Sequence, residues 1–126
     1  MSGVTYDTGA LVAADRGERR VWSIHRRALE RSKLPIVPAA VLGQAWRRGP
    51  QPDLSRLLAG CQVESLSEAT ARAAGTLMDA AGSSDLVDAT VVVGALKRGD
   101  AIVSADRSDI AALISASGED LVIVDI

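Results

Sequence analysis

Five aspartates, Asp7, Asp85, Asp88, Asp106 and Asp109, are the side chains whose spacing holds the most chemistry. Asp7 and Asp106 each end a short apolar run, VTYD and AIVSAD, while Asp85 and Asp88 stand three apart at the head of a long aliphatic segment, SSDLVDATVV. Residues three apart on a helix share a face, and Asp106 and Asp109 repeat the interval. Carboxylates gathered together repel and raise one another's pKa unless a cation lies among them. The usual solution is a hard divalent ion, Mg2+ or Mn2+, held by oxygen ligands. With one histidine, His25, and one cysteine, Cys61, in the chain, oxygen ligation is the only metal chemistry open to it. Each acid alone has a simpler role, at a helix N-terminus where the macrodipole favours it or in a turn. As a set they point to a pocket.

Such a pocket needs elements to bring the acids together, and apolar runs alternate along the chain with helical patterns, the signature of an α/β fold. Strands are expected at 4–7, 34–38, 62–66, 100–106 and 121–126. Helices are expected at 8–15, opened by Thr8, and over 18–33, where Val21, Ile24, Ala28 and Trp22, His25, Leu29 recur at helical spacing. A further helix begins at residue 39 and ends at Gly49, and PDLSRLLAG gives another with Pro52 and Asp53 in its first turn. Ser67 caps a helix that Gly82 stops. Ser83 or Ser84 caps the segment running to Lys97, Arg98 and Gly99, and Ser108 or Asp109 starts the last helix. In an open parallel sheet ligands bind beyond the carboxyl ends of the strands, where Asp7 and Asp106 fall.

At 126 residues and 48% hydrophobic content, one domain over 1–126 with a real core is expected. Only Tyr6, Trp22 and Trp46 are aromatic, so that core must be aliphatic, as suits a parallel sheet buried between helices. A lone cysteine excludes an internal disulfide and a cysteine-rich zinc site. The start, MSGVTYD, lacks a charged and then apolar leader, and no apolar run is long enough to span a bilayer; a cytoplasmic protein is the expectation. Net charge is −2, but seven of the 14 cations lie between residues 16 and 33. These cations suit phosphate groups or a solvated helix face equally well.

The blocks YDTGALVAAD, VPAAVLGQAWR and SSDLVDATVVVGALKRGDAIVSADRSDI together resemble the PIN domain, specifically the VapC-like toxin ribonucleases of bacterial toxin–antitoxin pairs. The resemblance implies a three-layer α/β/α sandwich with a mainly parallel sheet, an acidic cluster binding Mg2+ or Mn2+, and cleavage of RNA. It makes Asp7, Asp88 and Asp106 the metal-binding and catalytic acids, with Asp85 and Asp109 in support. It also implies a small VapB-like antitoxin and a homodimer. One position departs: where the family's segment VPAxVLxEAWR has glutamate, this chain has Gln44, which keeps an oxygen but loses a charge and cannot act as a base.

On that basis hydrolysis would be metal-assisted, with Thr8, Gln44 and Ser104 contacting a phosphate or orienting a carboxylate and Arg19, Arg20 and Arg47 binding the RNA backbone. Lys97 and Arg98 suit a solvated helix C-terminus. Trp46 suits the core or a dimer contact better than a stacked base, and His25, with no Ser, Cys or second His to pair with, suits packing rather than catalysis. The competing reading is a PIN-fold module that binds RNA or protein without cleaving it, disabled by Gln44. A receiver-like phospho-acceptor domain ranks last, because Asp7 stands alone after its strand and no lysine follows residue 98.

Overall fold

Short aliphatic runs become strands and the stretches between them helices. The computed structural model describes residues 3–126, in the order β1 (Val4–Tyr6), α1 (Thr8–Asp15), α2 (Arg19–Glu30), β2 (Ile36–Pro38), α3 (Ala39–Ala45), α4 (Pro52–Ala59), β3 (Gln62–Glu64), α5 (Glu68–Ala81), α6 (Leu86–Arg98), β4 (Ala101–Ser104), α7 (Arg107–Ser117) and β5 (Ile123–Asp125). The five strands form one parallel sheet ordered β3-β2-β1-β4-β5. β1 is central, with Thr5 opposite Ile36 on one side and Ile102 on the other.

Strand order runs outward from β1 to β3 and then returns across it to β4 and β5. Right-handed crossovers therefore put the helices before and after β3 on opposite faces. The packing agrees: α1 lies against α2, α3 and α4, while α5, α6 and α7 lie against one another. This is the expected α/β/α sandwich. The reversal between β1 and β4 is the switch point at which an open parallel sheet offers a crevice, and Asp7 and Asp106 follow those two strands.

The core is aliphatic, as the composition requires. Leu11, Val37, Val91, Val92, Ile102 and Ile110 are fully buried between sheet and helices. His25 is packed: the Tyr6 hydroxyl lies 2.9 Å from its Nδ1 and Trp22 meets it edge-on. Burial pushes its pKa down.

Several expectations need correction. Thr8 does not cap α1; Asp7 does, its carboxylate accepting the Ala10 N–H at 2.8 Å. Asp85, not a serine, caps α6, accepting the Asp88 N–H at 2.9 Å, while Ser83 Oγ accepts the N–H of Asp85 and shapes the turn before the cap. α7 begins at Arg107 with Asp106 at its cap, a residue or two before the expected Ser108 or Asp109. α3 stops at Ala45 instead of Gly49, because the Gln51 side chain takes the end of the helix, donating to the Ala45 carbonyl and accepting from the Arg47 N–H. Trp46 there is half exposed, not core. Arg98 is the largest departure. It is not a solvated cation: its guanidinium is shared by Glu64, Asp100 and the Thr5 hydroxyl, Asp100 being only 4% exposed. Among the described residues no helix is long and apolar enough to cross a membrane.

Candidate metal centre

Local capping places the acids. Asp7 leaves the buried strand β1 and turns the chain into α1, so it is held almost fully buried. Ser104, at the end of β4, is buried beside it. Its hydroxyl accepts the Asp106 N–H at 2.8 Å and favours the charged form of the Asp7 carboxylate, so one serine acts on acids from two crossovers. Gly9 closes the gap further. A Cβ built on it would lie 2.5 Å from that of Ala105, so only glycine lets the first turn of α1 press against the loop that carries Asp106.

From the opposite layer, the first turns of α6 and α7 bring in Asp88 and Asp109. Carboxylate oxygens of Asp88, Asp106 and Asp109 all lie within 4.8 Å of one another. Asp7 and Asp85 stand outside that trio but close enough to act on it electrostatically. Arg107, between Asp106 and Asp109 in sequence, turns away and grips Asp125 with two nitrogens at 2.8 and 2.9 Å, which ties the start of α7 to β5.

The electrostatics are one-sided. Burial, then Asp85, Asp7, Asp106 and Asp109, push the Asp88 carboxyl up to about 7. Every neighbouring charge acting on it is another aspartate. Burial also raises Asp7, against the opposing pull of Ser104 and the Ala10 and Ala105 N–H groups. The Asp106 carboxyl beside it, with slight burial and the charge of Asp85, raises Asp109 as well. Hard oxygen donors this close, without a cation among them, make a set that a divalent ion fits.

The remaining predicted residues are dispersed. Gln44 joins the site through Thr8, whose hydroxyl donates to its Oε1 at 2.6 Å; the amide oxygen offered by the sequence as a ligand is already engaged. Arg20 donates to the Asp125 carbonyl, Arg47 Nη1 to the carbonyl of Trp46, and Arg19 lines an open cavity between α2 and α4. None of the three is bonded to a site acid. Gly9 and the Arg107–Asp125 clamp were not anticipated, and Gly9 left only the hint of a glycine in a first helical turn.

No family model and no curated protein matches the chain. Solved structures do. A chain in the crystal structure of VapBC2 from Rickettsia felis bound to a DNA fragment from their promoter superposes with a TM-score of 0.73 at 12% identity, over 98% of each chain. The fold is PIN-like. A chain in the structure of FitAB bound to an IR36 DNA fragment gives 0.62 at 13% identity, over 97% of this chain and 94% of that one. At such identities the likeness establishes the arrangement of the elements. Within that PIN-like frame the site rests on this chain's own side chains.

Proposed function

We propose that this chain is an endoribonuclease of the VapC-like toxin type, dependent on Mg2+ or Mn2+, acting in the cytoplasm as a homodimer and neutralised by a small VapB-like antitoxin. The observation that carries the reading is the convergence of Asp88, Asp106 and Asp109 beside the buried Asp7, with only aspartates among the described residues as charges acting on Asp88. The PIN-like fold supports it, as do two structural neighbours that are themselves two-component complexes.

Asp88, Asp106 and Asp109 would hold the ion, with Asp7 and Asp85 adding negative charge around it. A divalent ion there would supply a lowered water pKa and positive charge against the developing phosphate charge. Ser104 keeps Asp7 and Asp106 in place, and Asp88, titrating near neutrality, is the residue suited to handle a proton when no ion neutralises it. Thr8 fixes the orientation of Gln44 at the rim. The engaged Gln44 oxygen favours one rival, a PIN-fold module that binds RNA or protein without cutting it.

Cleavage of RNA in Mg2+, in Mn2+ and in chelator separates the two. Hydrolysis is expected only with a divalent ion and is abolished in Asp7→Asn and Asp88→Asn. Activity that survives both substitutions removes the mechanism, and RNA binding without cleavage in any metal establishes the module.

A further inference from the structure

Trp22 and Trp46 differ in what their rings meet. Trp22 is packed: its indole N–H donates to the Ala14 carbonyl at 3.0 Å, and the Arg56 guanidinium covers its face 4.4 Å from the ring centre. Trp46 is 48% exposed, and its indole N–H has no hydrogen-bond partner among the described residues. Its backbone, by contrast, is pinned. The Trp46 N–H donates to the Leu42 carbonyl at 2.9 Å, its carbonyl accepts from Arg47 Nη1 at 2.7 Å, and the Arg47 N–H donates to Gln51 Oε1 at 2.7 Å. The segment is fastened to α1 on either side, by Thr8 to Gln44 at 2.6 Å and by Gln51 to Asp15 at 3.1 Å. An exposed indole on a fixed backbone loses little freedom when a flat partner stacks on it.

We propose that Trp46 is the surface on which a nucleobase of the RNA stacks, with Arg47 and Arg48 holding phosphates of the same strand. The proposal rests on the nuclease reading for the identity of that strand and adds the residues that seat it. Position comes first. Trp46 stands two residues beyond Gln44, and Thr8, which Gln44 meets, directly follows Asp7, so the residue is next to the rim of the carboxylate pocket. Charge agrees with position: Arg47 and Arg48 are exposed, and neither is paired with a carboxylate among the described residues. An aromatic face followed by two cations matches the alternation of base and phosphate along a single strand, since any base offers a face for stacking and guanidinium forks suit phosphate. A duplex keeps its bases stacked on one another and leaves none for the indole. The sequence favoured the core or a dimer contact for this ring; its exposure removes the first.

The test is binding of a labelled single-stranded RNA in Mg2+, read by fluorescence anisotropy in the Asp88→Asn background, where hydrolysis is expected to be abolished. Saturable binding is expected, and the same RNA without its label should quench tryptophan emission. Trp46→Ala should weaken binding by about tenfold, while Trp46→Phe should bind nearly as well as the parent but without the quench. Paired Arg47→Gln and Arg48→Gln should lower the slope of log affinity against log salt by roughly 1.4, the share of two phosphates, whereas Arg72→Gln on α5 should not. All four positions are exposed, so the variants should fold, and circular dichroism verifies it. The proposal is overturned if the RNA does not bind, if Trp46→Ala leaves its affinity unchanged, or if the quench survives in Trp46→Phe. It is equally overturned if Trp46→Ala changes the oligomeric mass, which makes the ring a contact between copies, or if a polyglutamate peptide and not RNA produces the quench. Binding with all of these effects, but no cleavage by the unaltered chain, removes the nuclease reading and keeps the stacking surface.

Discussion

The two ends of α6 treat charge in opposite ways. At its C-terminus Arg98 is closed in by Glu64, Asp100 and Thr5, and Gly94, one turn earlier, leaves space for them; a Cβ there would lie 2.9 Å from a Glu64 oxygen. At its N-terminus Asp85 and Asp88 face Asp7, Asp106 and Asp109 with no cationic side chain of the described residues among them. One helix thus carries a finished ion network at one end and an unfinished one at the other. The closed end fixes the fold; the open end is where a ligand has something to complete.

The largest effect is expected from opening the closed end. Arg98→Met leaves the buried Asp100 with only the Thr5 hydroxyl and no cation, and should destabilise the protein by about 3–5 kcal/mol, read as a loss in urea denaturation. A change below about 1 kcal/mol would mean that the network is as dispensable as a surface pair.

The next effect comes from titrating the open end. Asp88 titrates at 3.8 when unfolded and near 7 when folded. Between those values the folded chain holds a proton that the unfolded chain has released, so stability falls as pH rises through the window. Asp7 acts in the same sense. His25, lowered by burial, has the opposite sign: its contribution is lost as pH drops below its unfolded value of 6.5. Denaturation at about pH 5 and about pH 8 should show the acid-site decline in metal-free buffer, and saturating Mn2+ should remove it. If Mn2+ leaves the profile unchanged, the carboxylates do not bind it.

The smallest change sharpens the contrast. Gln44→Glu adds a carboxylate to the rim of the open end and should tighten Mn2+ binding by roughly tenfold, the scale of one partly screened charge, measured by calorimetry. Unchanged affinity would place residue 44 beyond reach of the ion.

How much of this was legible follows from the range of each interaction. Aliphatic runs ending in an acid, as in VTYD and AIVSAD, gave both strands and the side of the sheet on which Asp7 and Asp106 fall. Gly82 and Gly99 stop their helices as expected, both with positive φ. Caps were harder, because serine, threonine and aspartate serve almost equally well, and nothing local tells Thr8 from Asp7 or Ser84 from Asp85. The tight trio depends on the relative rotation of α6 and α7, and Arg98 on partners 34 and 93 residues away. Neither leaves a local signal. Nor did the end of α3, which hangs on one glutamine beyond it.

The contact at Gly9 gives the carboxylate pocket a built-in minimum width. The approach of the α1 turn to the loop before α7 is set by a hydrogen meeting a methyl group, not by any acid. Aliphatic residues behind the pocket can exchange for one another if their volume is conserved, but a single added carbon at this position would act as a wedge between two crossovers. The spacing of the pocket therefore depends on a residue with no side chain and no chemistry of its own.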